Sequence, residues 1–319
     1  MKSVPTPVTP VLAAEAVAAA VPPATLFNRT LRESLAEYAA LSKPRIAVMV
    51  LISVGVSFTL ASQGPLPLGL LLAALVGIGG SAVASSILNQ WYERGSDARM
   101  LRTRNRPLPS GRIADAEALW AGVLLSLAST AWLAATVNGL TAALTLATLV
   151  LYVGVYTPLK SRTSLCTAIG AAPGAMPLVL GWTAAGGGLT WEPAVLFAIL
   201  YVWQFPHFLA IAWIYQDQYR EAGLRMLPAD GRRPALVGLS AAAHAAVLLP
   251  VSLWARSVGL AGDPYALCAV ILGCWYLLAS VKFAVEPGQA TARRLLWTSL
   301  AYLPMLLAAL TIDHVRLLQ

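Results

Sequence analysis

Apolar runs of about 20 residues recur along this chain, and short polar connections separate them. A run of that length crosses about 30 Å of hydrocarbon as a helix, because each helical residue adds about 1.5 Å. The pattern predicts an all-α, polytopic membrane protein. The expected spans lie at about 46–62, 68–91, 115–136, 140–157, 164–184, 193–214, 235–256, 264–283 and 295–313.

The first 40 residues follow a different pattern. Ala, Pro and Val dominate the first 25 or so, and Glu15 and several prolines interrupt them, which favours a disordered tail over a signal peptide or a span. The stretch TLFNRTLRESLAEYAALSKPR then predicts an amphipathic helix that lies on the membrane surface. We therefore divide the chain into a tail with a surface helix, 1–40, and a single transmembrane domain, 41–319.

Charge is unevenly placed between the two sides of the predicted bundle. Hydrophobic residues make up 58% of the chain and charged residues 11%, with a mean hydropathy of +0.70. Twenty of the 22 Lys and Arg residues precede the first span or lie in alternate loops, which leaves Arg256 and Arg316 for the other side. The positive-inside rule places the N-terminus and the basic loops in the cytoplasm and, with nine spans, the C-terminus outside. The net charge of +8 thus indicates topology and anionic head groups rather than nucleic acid.

The three cysteines, Cys166, Cys268 and Cys274, all fall in apolar segments without metal-ligand spacing. We interpret them as packing residues rather than as metal ligands or disulfide partners.

The end of the second predicted span carries polar residues at a regular spacing. If the helix continues to about residue 97, then Asn89, Glu93 and Asp97 step by four and share one face, each about 6 Å farther along. Carboxylates at a membrane boundary are costly and mark an ion or substrate path. Two carboxylates and an amide are oxygen ligands that suit Mg²⁺. Waters and substrate phosphates usually complete the coordination shell of this ion.

A cluster of cations follows this acidic row. Its members are Arg99, Arg102, Arg104 and Arg106 in the next loop, and Lys160 and Arg162 in another loop of the same side. Acids that hold Mg²⁺ beside such a cluster form a receptor for a diphosphate. The alternative is that Glu93 and Asp97 are solvated loop acids that pair with Arg94 and Arg99.

The end of the sixth predicted span, WQFPHFLAIAWIYQDQYREAGLRMLP, holds a second group of polar residues. Gln204 and His207 are three residues apart and share a helix face inside an apolar run, so they are candidates for contact with a substrate. The alternative for His207 is a buried histidine that a neighbour satisfies. Asp217 is a candidate ligand for a second metal ion or, alternatively, a partner of Arg220.

Four stretches together resemble the UbiA-type intramembrane prenyltransferases, and within them the branch that farnesylates protoheme IX. They are LSKPR before the first span, NQWYERGSDARMLRTRNRPLPSGRI, YTPLKSRTSLCTAIGAAPGAMPLVLGWTAAGG and WQFPHF…DQYREAGLRMLP, between about residues 40 and 228. The resemblance implies nine helices in a bundle around a central cavity that opens to the membrane. It also implies that residues 41–319 form one prenyltransferase domain, which transfers the farnesyl group of farnesyl diphosphate to a vinyl group of heme b, giving heme O and diphosphate.

The resemblance also assigns roles by position. Asn89, Glu93 and Asp97 match the family's first acidic motif, which binds diphosphate through Mg²⁺. Arg102, Arg106 and Lys160 match its basic partners. An allylic cation needs an apolar cavity with aromatic faces, for which Tyr152 and Tyr156 are candidates, and Tyr156, Gln204 and His207 are candidates to contact heme b.

Three positions depart from the family pattern. Glu93 stands where the wider superfamily usually has Asp, which leaves a competent oxygen ligand. The second motif reads Asp217–Gln218 where an acidic pair is usual, which weakens the expected second metal position. After MLP the chain reads ADGRRPALVGLS, without the usual Thr and Gln.

The implied setting is the inner membrane of a bacterium, with heme b, farnesyl diphosphate and the lipid bilayer as partners and Mg²⁺ as the cofactor. A downstream heme A synthase or oxidase assembly factors are candidate protein partners. Three alternatives stay open: a prenyltransferase with another aromatic acceptor, a transporter, and a heme-binding assembly protein without catalysis. A transporter should place its polar site near the bilayer midplane, whereas these acids cluster at one face.

Overall fold

The computed structural model describes residues 30–231 and 233–319, and within these ranges the chain is helical and has no β-strand. The all-α prediction is confirmed. The helices are α1 (Leu31–Leu41), α2 (Pro44–Ala61), α3 (Leu68–Asp97), α4 (Asp115–Thr136), α5 (Gly139–Leu159), α6 (Cys166–Ala184), α7 (Trp191–Ile214), α8 (Gln216–Glu221), α9 (Pro234–Ser257), α10 (Asp263–Val285) and α11 (Gln289–Leu318).

All nine predicted spans are helices, and their ends fall within a few residues of the predicted ones except where α3 and α11 extend farther. Eight of them are long and apolar enough to cross a membrane. The exception is α6, whose prolines, glycines and threonines lower its apolarity. Most of its residues are buried among α2, α5 and α7, so protein rather than lipid surrounds it. A helix in that position tolerates Pro173 and Pro177, because neighbouring helices satisfy the backbone groups that proline frees.

A helix is present before the first span, where the surface helix is predicted, as α1. Thr30 caps it, and the Glu33 side chain returns a hydrogen bond to the Thr30 backbone, which together form a capping box. Leu31 and Leu35 are exposed, whereas Leu41 at the end of the helix is buried against the bundle. The predicted tail falls on residues outside the described ranges.

The long helices pack as an antiparallel bundle, with α2 against α6, α3 against α4, and α7 against α6, α9 and α11. Close approach of α2 and α6 depends on Gly181, where a Cβ atom would lie 2.3 Å from the carbonyl oxygen of Val54. The loops 98–114, 160–165 and 286–288 and the segment 215–231 lie at the end of the bundle that we call the basic face. These are the loops in which the sequence concentrates its cations.

Candidate active site

The predicted polar row lies on one face of α3, at the basic face of the bundle. The helix continues to Asp97, as the four-residue spacing of Asn89, Glu93 and Asp97 requires. Asn89 and Asp97 are each 1% exposed, and the Glu93 side chain is 11% exposed. The row therefore points into the protein rather than into solvent.

Each member of the row has a cation beside it. The contacts are Lys43 Nζ to Asn89 Oδ1 at 3.0 Å, Lys160 Nζ to Glu93 Oε1 at 2.7 Å, and Arg106 Nη1 to Asp97 Oδ2 at 2.7 Å. The alternative of solvated acids that pair with Arg94 and Arg99 is wrong for this structure. Arg94 instead contacts Asp115 at 2.6 Å, on an exposed part of the surface.

The surroundings of Lys43 disfavour its charged form. Burial lowers the pKa of Lys43 to about 7, and the positive charges of Arg106 and Lys160 act in the same direction. The backbone of Lys43 adopts a left-handed conformation, with φ of 49°, as α2 begins. This conformation accompanies the hydrogen bond from its side chain to Asn89.

A π-helical turn over Leu151–Tyr156 brings α5 to the row. Pro158 has no N–H to donate to the Gly154 carbonyl, which gives a local reason for the irregular turn. Directly after this turn, Thr157 accepts a hydrogen bond from Asn89 Nδ2 at 3.1 Å and donates one to the Tyr152 carbonyl at 2.8 Å. The turn thus sets the direction of both Thr157 and Lys160.

Two aromatic rings stand next to these groups, those of Tyr152 and Tyr156. The ring centroids of Tyr152 and Tyr156 are 5.3 Å apart. Lys160 Nζ lies 4.5 Å from the centroid of the Tyr156 ring, so this face already holds a cation. Tyr156 in turn packs on Gly170 of α6, where a Cβ atom would lie 2.4 Å from its ring.

An apolar cavity of about 160 Å³ opens beneath the row, between α2, α3, α5 and α6. Ser81 and Ser85 continue the spacing of Asn89 along α3 and line this cavity, and Lys43 and Tyr152 lie at its polar end. The rest of the wall is largely aliphatic. Residues that contribute to it are Ile46, Val50, Ile78, Leu149, Pro177 and Leu180.

A second, more polar cavity of about 270 Å³ lies at the other end of the row. Glu93, Ser96 and Arg99 line it from the side of α3, and Gly223 and Leu224 line it from the loop that follows α8. The polar row therefore stands between an apolar cavity within the bundle and a polar cavity at the basic face.

Gln204 and His207 lie in α7, on the other side of α6. Gln204 is buried, and its Nε2 donates to the carbonyl oxygens of Ala171 and Leu200 at 3.0 Å each. Its amide packs on Gly174, which lines the apolar cavity. Only one backbone position of α6 therefore separates Gln204 from that cavity.

His207 faces α11 rather than the polar row, as far as the described contacts show. Its Nδ1 lies 2.7 Å from Ser299 Oγ, and its ring stacks on Trp203 with centroids 4.8 Å apart. The Ser299 hydroxyl donates to the Leu296 carbonyl, so it accepts from His207 Nδ1–H. This assignment of the proton leaves the lone pair of the neutral imidazole on Nε2.

The second motif contacts the first through Arg102. The backbone N–H of Arg102 donates to Gln218 Oε1 at 3.3 Å, and its guanidinium lies 5.2 Å from the centroid of the Tyr215 ring. Arg102 is thus held against the segment around α8. Asp217 is exposed and pairs with Arg220 at 3.3 Å, which is the alternative that the sequence left open.

Two residues of the site were missed by the sequence reasoning as functional side chains. Lys43 belongs to the LSKPR stretch, so its motif was visible although its partner on α3 was not. Thr157 likewise belongs to the YTPLKSRT stretch, next to Pro158, although its partner on α3 was not visible.

The cysteines follow the packing prediction in part. Cys166 is buried at the start of α6, whereas Cys268 and Cys274 are exposed on α10. Within the described residues all three are free, and no group of three or more His, Cys, Asp and Glu side chains is arranged to hold a metal ion.

Comparison with known proteins gives one consistent family. The profile described as the UbiA prenyltransferase family matches residues 48–310. A protein named protoheme IX farnesyltransferase from Solibacter usitatus is 42% identical over 287 residues, which cover 87% of this chain and 98% of that protein. Seven further relatives with the same name are 36 to 41% identical.

Solved structures share the fold at low sequence identity. A digeranylgeranylglyceryl phosphate synthase matches with a TM-score of 0.76 and 15% identity, over 89% of this chain and 99% of that one. A UbiA homolog from Archaeoglobus fulgidus, bound to GPP and Mg²⁺, matches with a TM-score of 0.63 and 17% identity, over 86% and 99%. At this sequence identity, the similarity shows that the helices are arranged in the same way.

Proposed function

The chain belongs to the UbiA prenyltransferase family, and from that premise we propose that it transfers the farnesyl group of farnesyl diphosphate to a vinyl group of heme b, giving heme O and diphosphate. The observation that carries the proposal is the row of Asn89, Glu93 and Asp97, each beside a cation, of which Lys43 also lines the polar end of an apolar cavity. A substrate with an anionic head and a long apolar tail fits such a site. The names of the relatives supply the acceptor, heme b.

We propose that Asn89, Glu93 and Asp97 hold Mg²⁺. The three side chains present oxygen atoms on one helix face, and each now contacts a cation that a divalent ion would replace. Mg²⁺ is usually bound by one or two carboxylates and completed by waters and substrate phosphates, which agrees with this donor set. When bound, the ion neutralises charge that develops on the leaving diphosphate.

The cations of the site supply the remaining electrostatic stabilisation. Displaced from their carboxylate partners, Lys160 and Arg106 would turn their donors to the diphosphate oxygens, and Arg102 would approach from the side of α8. As the bond between C1 of the farnesyl group and oxygen breaks, its electron pair leaves with the diphosphate. Preorganised donors aimed at that growing charge lower the barrier.

The aromatic and apolar groups then protect the allylic cation. Tyr152 lines the polar end of the cavity, the ring of Tyr156 lies next to it with centroids 5.3 Å apart, and the aliphatic wall excludes water. A vinyl carbon of heme b forms the new bond to C1. The positive charge left on the heme side takes up the oxygen of a water molecule, which loses a proton and completes the hydroxyethylfarnesyl group.

For heme b we propose contacts to Tyr156, Gln204 and His207. Gln204 is one backbone position away from the cavity, and His207 has its lone pair fixed on Nε2. The propionates of heme b are anions, and the cations of the basic face would attract them. Asp217 as a ligand of a second ion stays a prediction, since its carboxylate is exposed and pairs with Arg220.

We further infer the setting of the enzyme. A multi-pass membrane protein with its cations concentrated at one face favours a cytoplasmic basic face in the inner membrane of a bacterium. The family match over residues 48–310 supports a single prenyltransferase domain over 41–319. A heme A synthase or an oxidase assembly factor stays a predicted recipient of the product.

The test is an assay of the purified chain in detergent with heme b, farnesyl diphosphate and Mg²⁺, followed by mass analysis of the extracted heme. We expect a farnesylated hydroxyethyl heme from the wild type. Asp97→Asn should lower its rate of formation at least about 100-fold, in the range for the loss of one main electrostatic group. Asp263→Asn is the matched control, because Asp263 pairs with Arg256 on the opposite side and is largely exposed.

Two other outcomes of this assay would each overturn one part of the proposal. Unmodified heme from a well-folded wild type would overturn heme b as the acceptor, and other aromatic acceptors would then be tried with the same diphosphate. Full activity of Asp97→Asn would keep the enzyme and overturn the role of the polar row.

A further inference from the structure

A groove runs between α10 and α11 on the outside of the bundle, away from the polar row. Its volume is about 760 Å³. On α10 the lining positions 275, 278, 279 and 282 follow helical spacing, so they form one face, and α11 contributes 294, 297 and 298. The adjacent face of α10, about a quarter turn away, is buried in the bundle through Tyr276 and Phe283. The groove therefore lies on the outer surface of the bundle and does not open to the apolar cavity.

The groove is polar at one end and apolar along its length. Lys282 and Arg294 lie within about two turns of the loop 286–288, at the basic face. Trp297 is about one turn deeper, and Trp275 is about 10 Å deeper than Lys282 along α10. These two indoles are 72% and 43% exposed, and Leu278 beside them is 68% exposed.

The polar groups of this groove have no partners within the described residues. Lys282 and Arg294 form neither an ion pair nor a side-chain hydrogen bond there, and Glu286, the acid of the adjoining loop, pairs with neither. The indole N–H groups of Trp275 and Trp297 are likewise without an acceptor in the described part of the chain. Two cations and two donors are thus available to one ligand.

We propose that this groove binds an anionic phospholipid. The head-group phosphate would lie between Lys282 and Arg294, and the acyl chains would run over Leu278 and the two indole rings. Cations at the end of a span attract anionic lipid head groups, and tryptophan combines an apolar ring with a donor at the same depth. The charge of the groove and its depth profile both match this ligand.

A second copy of the chain fits the groove less well. In a two-fold symmetric contact through this face, Lys282 and Arg294 would meet the same cations of the other copy, and like charges would oppose each other. A phospholipid instead brings the opposite charge. Its binding goes beyond the transfer reaction and does not depend on it.

Native mass spectrometry of the full chain in detergent tests the proposal. Phosphatidylglycerol and phosphatidylcholine, with identical acyl chains, are titrated into the wild type and three variants. Since each cation near a membrane surface contributes about fivefold to anionic lipid binding, Arg294→Gln should weaken phosphatidylglycerol binding about fivefold. The double variant Lys282→Gln/Arg294→Gln should weaken it about 25-fold. Arg293→Gln removes the same charge from a neighbouring exposed position that does not line the groove, so it should bind as the wild type does.

Three results would overturn the proposal. Equal binding of the two lipids would remove the role of charge, and an equal loss in Arg293→Gln and Arg294→Gln would show a general effect of surface charge. A lipid-free dimer of the wild type that becomes stronger in Arg294→Gln, where the repulsion between like charges is relieved, would assign the groove to a second copy of the chain.

Discussion

Lys160 Nζ lies 2.7 Å from Glu93 Oε1, although the two residues belong to different helices and loops, and both side chains are nearly buried. The contact joins the row on α3 to the end of α5, directly after the π-helical turn. In the proposed reaction, farnesyl diphosphate and Mg²⁺ have to separate this ion pair. We expect it to stabilise the protein in the absence of substrate and to supply two groups of the site in its presence.

Removal of one partner of this ion pair should destabilise the protein. Glu93→Gln leaves the Lys160 ammonium nearly buried without its counter-charge, for which we expect a loss of about 3 kcal/mol in the free energy of unfolding. Lys160→Gln should cost a similar amount, and the double variant less than the sum of the two, as measured by thermal unfolding in detergent. Asp115→Asn is the control, because its ion pair with Arg94 is exposed and should contribute at most about 1 kcal/mol. Additive losses would show that the two side chains do not interact.

Removal of the divalent ion should abolish the transfer reaction without unfolding the chain. Within the described residues, each oxygen ligand of the row already has a cation beside it, so the ion-free protein keeps its charges paired. We expect EDTA to stop product formation, added Mg²⁺ to restore it, and the unfolding temperature to change little. A large fall in unfolding temperature with EDTA would instead indicate a structural ion.

Gly174→Ala tests whether Gln204 is held at the wall of the cavity. A Cβ atom at this position would lie 2.1 Å from Gln204 Oε1, so the amide must shift, which disturbs its hydrogen bonds to two carbonyl oxygens. We expect a loss of about 1–3 kcal/mol in the free energy of unfolding. We also expect a higher heme b concentration to be needed for the half-maximal rate. Gly69→Ala, where no atom lies within 4 Å of the added Cβ, should be neutral or slightly stabilising. Equal behaviour of the two variants would contradict the packing described for Gln204.

His207→Ala should change the absorption spectrum of bound heme b if Nε2 contacts the iron. This measurement does not require turnover. His244→Ala is the matched control, because His244 has no role in the proposed site. Its ring contacts the Ser240 carbonyl and stacks on Phe205. Ser299→Ala removes the acceptor that holds Nδ1–H, so we expect a smaller change in the same direction. An unchanged Soret band in His207→Ala would exclude His207 as an iron ligand.

Much of the fold could be predicted because it rests on local rules. An apolar run in hydrocarbon has to satisfy its own backbone hydrogen bonds, so run length alone predicts helices. The shared face of Asn89, Glu93 and Asp97 follows from the helical repeat in the same way, and α3 continues far enough to include all three. The helix α6 was predicted as a span as well, although its apolarity falls below that of the other eight.

The partners of the polar row could not be predicted, because they come from distant parts of the chain. Arg94 and Arg99 are close to Glu93 and Asp97 in sequence, yet Lys160 and Arg106 are the side chains that contact them. Lys43 reaches Asn89 because α1 and α2 pack on α3, a relation that no spacing along the chain contains.

The sequence by itself thus determined where the helices lie, which face carries the acids and at which end the cations gather, since each depends on the repeat of one helix or on the composition of one loop. Only the tertiary structure decided which cation meets which acid, that His207 turns to Ser299, and that Lys282 and Arg294 share one groove. The physical reason is that these relations depend on how separate helices approach and rotate against each other. That packing is fixed by contacts such as Gly181 on Val54 and Gly170 on Tyr156, and by the π-helical turn before Thr157.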